Sequence, residues 1–516
     1  MQQSQSKQQV GGILGFIERI GNKIPDITIL FISAFLLVCV VSAVLAQIHF
    51  NYVHPATGRP IEITNMLSGK ALVDLMSKMV TNYANFPPLS MVIVATLGIG
   101  IADGSGYINT GLKKILSITP KVLITPVVIL VGMLSHLGPD SGYVIIIPIG
   151  AYMFYAVGKH PLAGIAASFA GIAGAFAANY TPSAIDPVIQ GFTQSAAQII
   201  DPGYQVNVLC NYFYAFASTF IVIGACWWVT EKITNPWLWK ACPLDDDLDL
   251  GNENNSSITP SENRAFKIAT AVLLLMLTGL AAALYPADSI LRAPDGVIAS
   301  FKAPIMQSIV SLIFIFAALV GLVYGIACGK FKSPKDVTAA MEEITKTLVQ
   351  LIVFYFFAAQ FLYAFGASNM GALIAVSGAE FLKSLNLPPQ VTVFGIIVFV
   401  ALLNLIITSA SAKWAILAPI FVPMLMAVGI APELTQVAFR VSDSAVNVVT
   451  PMFAFYPLII LYCQKYVKNA GIGTLSSMML PYTIALLVSL TFMLYLFWWL
   501  DIPLGFQADY VYPRRF

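Results

Sequence analysis

The sequence predicts an all-α polytopic membrane protein with about nine transmembrane helices and two re-entrant hairpins arranged as an inverted repeat. Apolar residues make up 58% of the 516 residues and charged residues only 10%, with a mean hydropathy of +0.81. A soluble core of this size cannot use so much apolar sequence. Several apolar runs are interrupted by short polar stretches, which is the pattern of hairpins and broken helices. The net charge of +2 gives no basic surface for nucleic acid.

The first half of the chain, residues 1–229, begins with the polar stretch MQQSQSKQQ. No cleavage site follows a short apolar region, so this stretch is predicted to be a cytosolic tail. Arg19 and Lys23 precede the first crossing and place the N-terminus in the cytoplasm. Residues 47–86 are predicted as a long outer loop. The apolar runs of this half are predicted as crossings at 27–46, 87–102 and 206–229, a hairpin at 122–157 and a broken helix at 161–200.

A polar linker at 230–264 divides the chain near its middle, because LDDDLDLGNENNSS contains too few apolar residues to pack. The second half, residues 265–516, is predicted to contain a surface-lying segment near 370–386. Its apolar runs are predicted as crossings at 265–285, 304–328, 345–366 and 473–500, a hairpin at 394–429 and a broken helix at 434–466. Lys and Arg are more frequent in the loops that this topology places in the cytoplasm, and the C-terminus then lies outside.

The hairpin prediction depends on run length. In residues 394–429, the polar stretch TSASAKW at 408–414 separates two apolar runs that are each too short for the roughly 20 residues of a spanning helix. Residues 434–466 are interrupted by FRVSDSAVNVVTP at 439–451 in the same way. Non-helical backbone at membrane depth is tolerated where it lines a cavity or is buried in protein. We therefore expect both polar stretches to lie inside the bilayer at a binding site.

The two halves show a related spacing of polar residues. Each broken helix follows a hairpin with a serine-rich tip, and the two hairpins enter from opposite sides. The first broken run contains a quartet of residues, Asn179, Ser183, Asp186 and Pro187. A second quartet with the same mutual spacing lies 264 residues later, at Asp443, Asn447, Thr450 and Pro451. Secondary transporters build substrate and ion sites from such inverted repeats and half-helix ends.

Charged residues in these segments are candidate functional residues by default. Lys413, Arg440 and Asp443 fall in or beside the predicted breaks. Each has a structural alternative: Arg440 could pair with Asp443 three residues later, and Lys413 could close a salt bridge or bind hairpin carbonyls. Asp186 before Pro187 could cap the second half-helix.

Other polar and apolar residues near the breaks have alternatives too. His136 and Asp140 could form a proton relay, or the histidine could be satisfied within the hairpin tip. Trp414 could anchor the chain at the membrane interface, or it could lie deep in the bilayer at the tip of the hairpin. The prolines in the hairpin limbs are predicted to kink them, and these are Pro126, Pro148, Pro419 and Pro423. The six cysteines contain no CxxC motif and are predicted to be packing residues.

Long stretches of the chain carry a family resemblance. They include GFIERIGNKIPD, PDSGYVIIIPIGA, FYAVGKHPLAGIAA and the AIDP of the first break, and above all SAKWAILAPIFVPM and PELTQVAFRVSDSAVNVVTPM. With them the sequence closely resembles the AbgT family of p-aminobenzoyl-glutamate transporters. The resemblance implies a dimeric inner-membrane secondary transporter driven by a sodium or proton gradient. Its activity would be uptake of p-aminobenzoyl-glutamate, a folate catabolite, or export of sulfonamide antimetabolites.

The resemblance also implies a set of functional residues, which here are Asp186, Ser411, Trp414, Pro419 or Pro423, Arg440, Asp443 and Pro451. For an anionic aromatic substrate, the guanidinium of Arg440 matches a carboxylate in two-point geometry, and Trp414 offers a ring for stacking. The predicted substrate-binding residues are therefore Ser411, Lys413, Trp414, Arg440, Asp443 and Pro451.

Coupling residues follow from the repeat, because hard cations prefer oxygen ligands and broken helices expose carbonyl groups. The predicted coupling-ion residues, which would also be the sodium ligands, are Asn179, Asp186, Asp443 and Asn447. Each lies near a hairpin-tip serine, and these are Ser135 or Ser141 and Ser409 or Ser411. No cofactor is expected. The sequence lacks the Walker motif of an ATPase, the HExxH, GxSxG and GxGD motifs of hydrolases, and the repeated rings of a channel.

Overall fold

A computed structural model of the chain describes residues 26–53, 58–135, 141–183, 185–245 and 258–513. These residues are almost entirely helical, and their only β-pairings are two isolated bridges. In chain order the helices are Ile27–Leu45, Gly69–Ala84, Pro87–Ser105, Tyr107–Ser117, Ile124–Leu134, Ser141–Ala156, Pro161–Phe169, Ile185–Ala197, Tyr212–Val229, Asn235–Ala241, Pro260–Leu284, Pro304–Gln307, Ile309–Ala327, Pro334–Lys346, Val349–Ala367, Met370–Ser384, Pro389–Asn404, Ala410–Met426, Pro432–Val446, Tyr456–Gln464 and Ile472–Trp499. A 3₁₀ turn covers Lys121–Leu123, and π-helical turns cover Ala170–Gly174 and Thr230–Thr234.

Seven helices of the described chain are long and apolar enough to cross a membrane. They are Ile27–Leu45, Gly69–Ser105, Tyr212–Ala241, Pro260–Leu284, Ile309–Ala327, Val349–Ala367 and Ile472–Trp499. Together with the two broken helices they match the nine predicted crossings. The all-α polytopic fold class is thus confirmed, and the protein is a multi-pass membrane protein.

Both hairpins form. The limbs of the first are Ile124–Leu134 and Ser141–Ala156, and those of the second are Pro389–Asn404 and Ala410–Met426. Pro419 and Pro423 lie inside the last limb. The non-helical tip of the second hairpin spans only 405–409, so the predicted break at 408–414 is wrong in its second part. Ser409 caps the helix by accepting a hydrogen bond from the Ala412 backbone N–H, and residues 410–414 contain neither glycine nor proline.

The first broken helix comprises Pro161–Phe169 with its π-helical turn, a break whose described part is 175–183, and Ile185–Ala197. The second comprises Pro432–Val446, a break at 447–455, and Tyr456–Gln464. The predicted second break at 439–451 therefore begins too early. Residues 439–446 contain neither glycine nor proline, and the side chains of Arg440, Ser442 and Asp443 find partners outside the helix. Arg440 and Asp443 consequently lie on continuous helix.

The two halves repeat in the same order of elements, but at a different offset from the one predicted. The first limbs end at Leu134 and Asn404, an offset of 270 residues. The second half-helices begin at Ile185 and Tyr456, an offset of 271 residues. The polar quartets matched at 264 are therefore not equivalent in the fold. Asp186 lies in a half-helix, whereas its matched residue Thr450 lies in a break.

Three boundary predictions are corrected. The predicted outer loop at 47–86 contains the helix Gly69–Ala84, which continues into the second crossing as part of a 37-residue helical segment. The predicted linker at 230–264 is shorter, because helix extends to Ala241 and resumes at Pro260, where Thr259 and Glu262 form a capping box. The segment near 370–386 is the helix Met370–Ser384, one side of which is buried against the second limb of the second hairpin.

Some predictions fall outside the described residues. These are Arg19 and Lys23, His136 and Asp140, the centre of the linker at 246–257, and the side chain of Ser141. The six cysteines are free, and four of them are buried.

Close glycine contacts join the first hairpin to the first broken helix. A Cβ atom added at Gly164 would lie 2.3 Å from the carbonyl oxygen of Gly150. Likewise, a Cβ at Gly171 would lie 2.5 Å from the carbonyl oxygen of Ile129. Small residues allow membrane helices to approach with their backbones in contact. Both limbs of this hairpin therefore pack directly on the half-helix Pro161–Phe169 and its π-helical turn.

Residues 501–513 follow the last long helix and fold back onto two loops. We call them the C-terminal strap. The Ala431 backbone N–H donates to the Tyr510 carbonyl at 3.1 Å, and the Tyr512 N–H donates to the Gly429 carbonyl at 2.9 Å. The Tyr214 N–H donates to the Leu504 carbonyl at 2.9 Å. The strap thereby connects the base of the second hairpin to the helix that starts at Tyr212.

Candidate functional site

The half-helix Pro432–Val446 lies at the centre of the fold. All 15 of its residues are buried, including Arg440, Ser442, Asp443 and Ser444. Burying a charge away from water is costly unless the charge is paired and hydrogen-bonded. The partners of Arg440 and Asp443 therefore determine what this half-helix can do.

Asp443 pairs with Lys413 of the second hairpin. The Lys413 Nζ atom lies 2.6 Å from Asp443 Oδ1, and both side chains are almost completely buried. Lys413 also donates to the Ile407 carbonyl at 3.1 Å and to the side-chain oxygen of Asn404. The ammonium group thus bridges the tip of the hairpin to the second broken helix, which confirms the salt-bridge alternative for Lys413.

Two asparagines complete this cluster. The Asn404 amide nitrogen donates to the Asp443 carbonyl at 2.9 Å and to Asn447 Oδ1 at 3.0 Å. The Asn447 amide nitrogen donates to Asp443 Oδ2 at 3.3 Å. Asn447 lies at the C-terminal end of the half-helix, where the break begins. Asn404 is the last residue of the first limb of the second hairpin. Sequence reasoning missed it, because a single asparagine at the end of an apolar run belongs to no motif.

Arg440 pairs with Asp186 of the first broken helix. Arg440 Nη1 lies 2.7 Å from Asp186 Oδ1, and Nη2 donates to the Phe176 carbonyl at 3.2 Å. The other carboxylate oxygen of Asp186 accepts from the Ser183 backbone N–H at 2.7 Å and from its hydroxyl at 3.0 Å. Asp186 thus stabilises the start of its half-helix and neutralises Arg440 at the same time.

The alternative in which Arg440 pairs with Asp443 is not observed. Residues three apart on an α-helix differ by about 60° in direction, and here the two side chains reach different neighbours. Arg440 contacts the first repeat, whereas Asp443 contacts the hairpin of its own repeat. The half-helix therefore carries two ion pairs that join it to two separate parts of the protein.

Trp414 lies next to this half-helix and is fully buried. Its ring stacks on Phe439 with 4.4 Å between the ring centroids, and its Nε1–H donates to Thr193 Oγ1 at 2.8 Å. The Thr193 hydroxyl donates in turn to Gln436 Oε1 at 2.6 Å. This burial excludes an interface anchor as the role of Trp414.

A cavity of about 530 Å³ lies where both hairpin tips and both breaks meet. Neutral polar residues line it at Ser135, Asn179, Ser183, Thr408, Ser409, Ser411 and Asn447, and aromatic residues line it at Tyr143, Phe176, Phe453 and Phe455. Asp443 is its one charged lining residue among those described. Small-molecule sites are mostly apolar cavities of about 300–1,000 Å³ with a few placed polar groups, so this is the candidate substrate site.

The predicted site residues divide into two groups around this cavity. Ser411, Asp443, Asn179 and Asn447 line it. Lys413, Trp414, Arg440, Asp186 and Pro451 do not, although Lys413 and Arg440 contact residues that do.

The aromatic lining was missed by sequence reasoning. Tyr143 and Phe455 stack with 4.2 Å between their centroids, and Phe176 lies in the first break. The phenylalanines within both breaks could have predicted this lining, because side chains in the break of a helix can face the cavity.

A cation at the predicted coupling residues would meet competition. Both carboxylates are already neutralised, Asp186 by a guanidinium group and Asp443 by an ammonium group. Within the residues that the structure describes, no three His, Cys, Asp or Glu side chains cluster as metal ligands. Sodium would therefore depend on neutral oxygens such as those of Asn447 and Ser411, or displace an amino-acid cation.

Comparison with known proteins gives consistent results. Residues 12–512 match the model of the AbgT putative transporter family. The p-aminobenzoyl-glutamate transport protein of Escherichia coli (strain K12) is 33% identical over 511 residues, which cover 99% of this chain and 98% of that one.

Two solved structures are also similar. The YdaH transporter of Alcanivorax borkumensis, described as having an unusual topology, has a TM-score of 0.87 and 36% identity, covering 93% of this chain and all of that chain. MtrF of Neisseria gonorrhoeae, described as illuminating a class of antimetabolite efflux pumps, has a TM-score of 0.90 and 39% identity, covering 96% of this chain and all of that chain.

Proposed function

Because this chain belongs to the AbgT transporter family, we propose that it moves p-aminobenzoyl-glutamate across the cell inner membrane by secondary active transport. The name of the Escherichia coli relative supports the substrate. A homodimer, with cytoplasmic N-termini and periplasmic C-termini, is part of the proposal. It rests on the family resemblance and on the distribution of Lys and Arg in the loops.

The observation that carries the proposal is the central cavity between the two repeats. It is bounded by both hairpin tips and both breaks, and so by the elements that alternating access would move relative to one another. Its aromatic walls suit a benzoyl ring, and its hydroxyl and amide groups suit the amide and carboxylates of the substrate.

One carboxylate of the substrate requires a cation. Arg440 is adjacent to the cavity through Phe176, whose carbonyl it binds at 3.2 Å and whose ring lies 5.9 Å from the guanidinium carbon. We expect the substrate carboxylate to replace Asp186 on Arg440, because two carboxylates compete for the same guanidinium fork. Ser411 would then contact the substrate from the cavity wall, and Lys413, Trp414 and Pro451 would support that wall from behind.

Coupling would involve the two carboxylates that bear the ion pairs. Asp186 and Asp443, with Asn179 and Asn447, are proposed as the residues through which a sodium ion or a proton biases the two conformations. Each carboxylate gains or loses a cationic partner when its element moves, so an added cation changes the energy of that step.

Export of sulfonamide-type antimetabolites is the second candidate, favoured by the similarity to MtrF. The same cavity would accept an aromatic sulfonamide, which lacks the glutamate carboxylates. The direction of coupling separates the two functions. An exporter transports the sulfonamide against the concentration gradient of that compound. It requires no arginine that binds a carboxylate.

Proteoliposomes provide the test. Labelled p-aminobenzoyl-glutamate and a labelled sulfonamide are offered with a sodium gradient and a proton gradient imposed separately. Accumulation of p-aminobenzoyl-glutamate above the equilibrium level with one gradient supports the proposal and identifies the ion. Equilibration of both compounds without accumulation under either gradient contradicts it.

A further inference from the structure

A second cavity, of about 640 Å³, lies at the base of the first hairpin. It is bounded by both ends of that hairpin and by the helical segment Tyr212–Ala241. Its lining residues are Lys121, Val122, Val157, Lys159, Gly224, Trp227, Trp228, Glu231 and Lys232. None of them lines the central cavity, so this is a separate site.

The cavity has an excess of positive charge. Glu231 is neutralised by Lys159, and the Thr125 hydroxyl donates to the same carboxylate at 2.5 Å. Lys121 and Lys232 are exposed, and neither forms an ion pair with any residue that the structure describes. Two ammonium groups are thus available to an anion at this position.

The depth of the cavity follows from the helix that forms its wall. The segment Tyr212–Ala241 has 30 residues and at 1.5 Å per residue is about 45 Å long, against a hydrocarbon core of about 30 Å. Measured from Tyr212, Trp227 and Trp228 lie about 24 Å along this segment and Lys232 lies about 30 Å along it. The two tryptophans are 37% and 58% exposed. Exposed tryptophans are typical of the membrane–water interface. The lysines of the cavity therefore lie at headgroup level.

An apolar groove leads from the lysines towards the membrane interior. Gly224 is exposed, and a Cβ atom added there would meet nothing within 4 Å. Phe220 and Trp228, one turn before and after it, are 64% and 58% exposed. The absent side chain at Gly224 therefore leaves a gap on the helix surface between the two exposed aromatic side chains.

We propose that this cavity binds an anionic phospholipid. Lys121 and Lys232 hold its phosphate, the tryptophans flank its glycerol region, and one acyl chain occupies the groove over Gly224. Basic cavities between transmembrane helices on the cytoplasmic side are suited to anionic headgroups. Lys121 begins the first hairpin and Val157 follows its second limb, so the bound lipid joins the base of this hairpin to the neighbouring helix.

Native mass spectrometry of the purified protein tests the proposal. Phosphatidylglycerol and phosphatidylcholine with the same acyl chains are added in turn, and sn-glycerol 3-phosphate is added as a headgroup without chains. We expect phosphatidylglycerol to bind more tightly than either of the others. With about 1 kcal/mol for each lysine, the double variant K121Q/K232Q should bind phosphatidylglycerol roughly 30-fold more weakly.

Two further variants make the result specific. Gly224→Leu fills the groove and should weaken phosphatidylglycerol binding while leaving both lysines in place. K332Q/K335Q removes two exposed lysines that are predicted to lie on the same membrane face but outside the cavity, and it should bind like the unmodified protein. Equal binding of both phospholipids, an equal loss in K332Q/K335Q, or binding of sn-glycerol 3-phosphate as tight as that of the lipid would each overturn the proposal. Unchanged binding in Gly224→Leu would overturn the acyl groove.

Discussion

Lys413 and Asp443 form a buried ion pair, with 2.6 Å between Nζ and Oδ1, that joins the second hairpin to the second broken helix. The free energy of such a pair is a small difference between a large desolvation cost and a large attraction. Removing one partner leaves the other charge buried alone, whereas removing both eliminates the cost and the attraction together. A single substitution is therefore expected to destabilise the protein more than the double substitution does.

The first prediction follows from this asymmetry. We expect Asp443→Leu to lower the free energy of unfolding by about 3–5 kcal/mol, and the double variant Lys413→Met/Asp443→Leu to regain most of that loss. Unfolding in mixed detergent micelles measures both. The exposed pair of Lys346 and Glu343 is the control, and Glu343→Leu there should leave the free energy of unfolding nearly unchanged. A double variant as unstable as the single one would contradict the prediction.

The second prediction concerns carboxylate exchange at Arg440. Arg440→Lys keeps the charge but loses the two-point geometry, so binding of p-aminobenzoyl-glutamate should weaken roughly 10- to 100-fold. Asp186→Asn removes the competing carboxylate and should strengthen binding. N-Methyl-4-aminobenzamide, which lacks both carboxylates, serves as the control ligand in calorimetric titrations. If Arg440→Lys weakens both ligands equally, Arg440 acts on the structure of the site and not on the carboxylate.

The third prediction concerns the hydrogen bond between Trp414 and Thr193. Trp414→Phe retains the stack on Phe439 but loses the indole donor, and Thr193→Val loses the acceptor. Each should lower the free energy of unfolding by about 1–3 kcal/mol, with the double variant less than additive. Substrate stacking makes a different prediction, because Trp414→Phe would then change the preference for p-aminobenzoyl-glutamate over free glutamate. Binding of both ligands to the single variants separates the two roles.

The fourth prediction concerns the coupling ion. An asparagine keeps one oxygen for sodium but does not titrate. If protons couple transport, Asp443→Asn should abolish concentrative uptake in proteoliposomes at every pH. If sodium couples transport, raised sodium should restore part of that uptake. Gradient-driven accumulation at the level of the unmodified protein in both Asp443→Asn and Asp186→Asn would exclude these two residues from coupling.

The fifth prediction concerns the packing of the first hairpin. Gly164→Leu places a side chain against the Gly150 carbonyl, 2.3 Å from the position of the new Cβ. We expect the thermal midpoint of unfolding to fall, with a cost of about 3 kcal/mol from overpacking. Gly279→Leu is the matched control, because it is also an exchange within a helix but meets open space. Equal midpoints for the two variants would show that the glycine contact is not required.

Most of the fold could be predicted from the sequence because run length and hydropathy determine which segments cross a membrane. The helices beginning at Ile27, Pro260 and Ile472 were predicted within a few residues. The boundaries of the breaks were not, because a buried polar residue whose side chain has a partner can remain within a helix. Arg440 and Asp443 find partners on other elements, so their segment remains helical.

The sequence predicted several residues of the candidate site, but not which of them contact one another. Ser411, Asp443, Asn179 and Asn447 line the cavity as expected. The pairing of Arg440 with Asp186 could not be read from the sequence, because it depends on how two distant half-helices cross. Trp414 illustrates the same limit, since its neighbours Phe439 and Thr193 belong to different elements.

The C-terminal strap holds the base of the second limb of the second hairpin through its hydrogen bonds to Gly429 and Ala431. The helical limb Ala410–Met426 has 17 residues and is about 25 Å long, with its base beside the strap and Lys413 near its far end. Lys413 lies about 20 Å along the limb from Met426, so a rotation of about 10° about that base would move Lys413 by roughly 3 Å, enough to break its contact with Asp443. A small rotation of this limb about the strap would therefore be enough to make or break the ion pair between the second hairpin and the second broken helix.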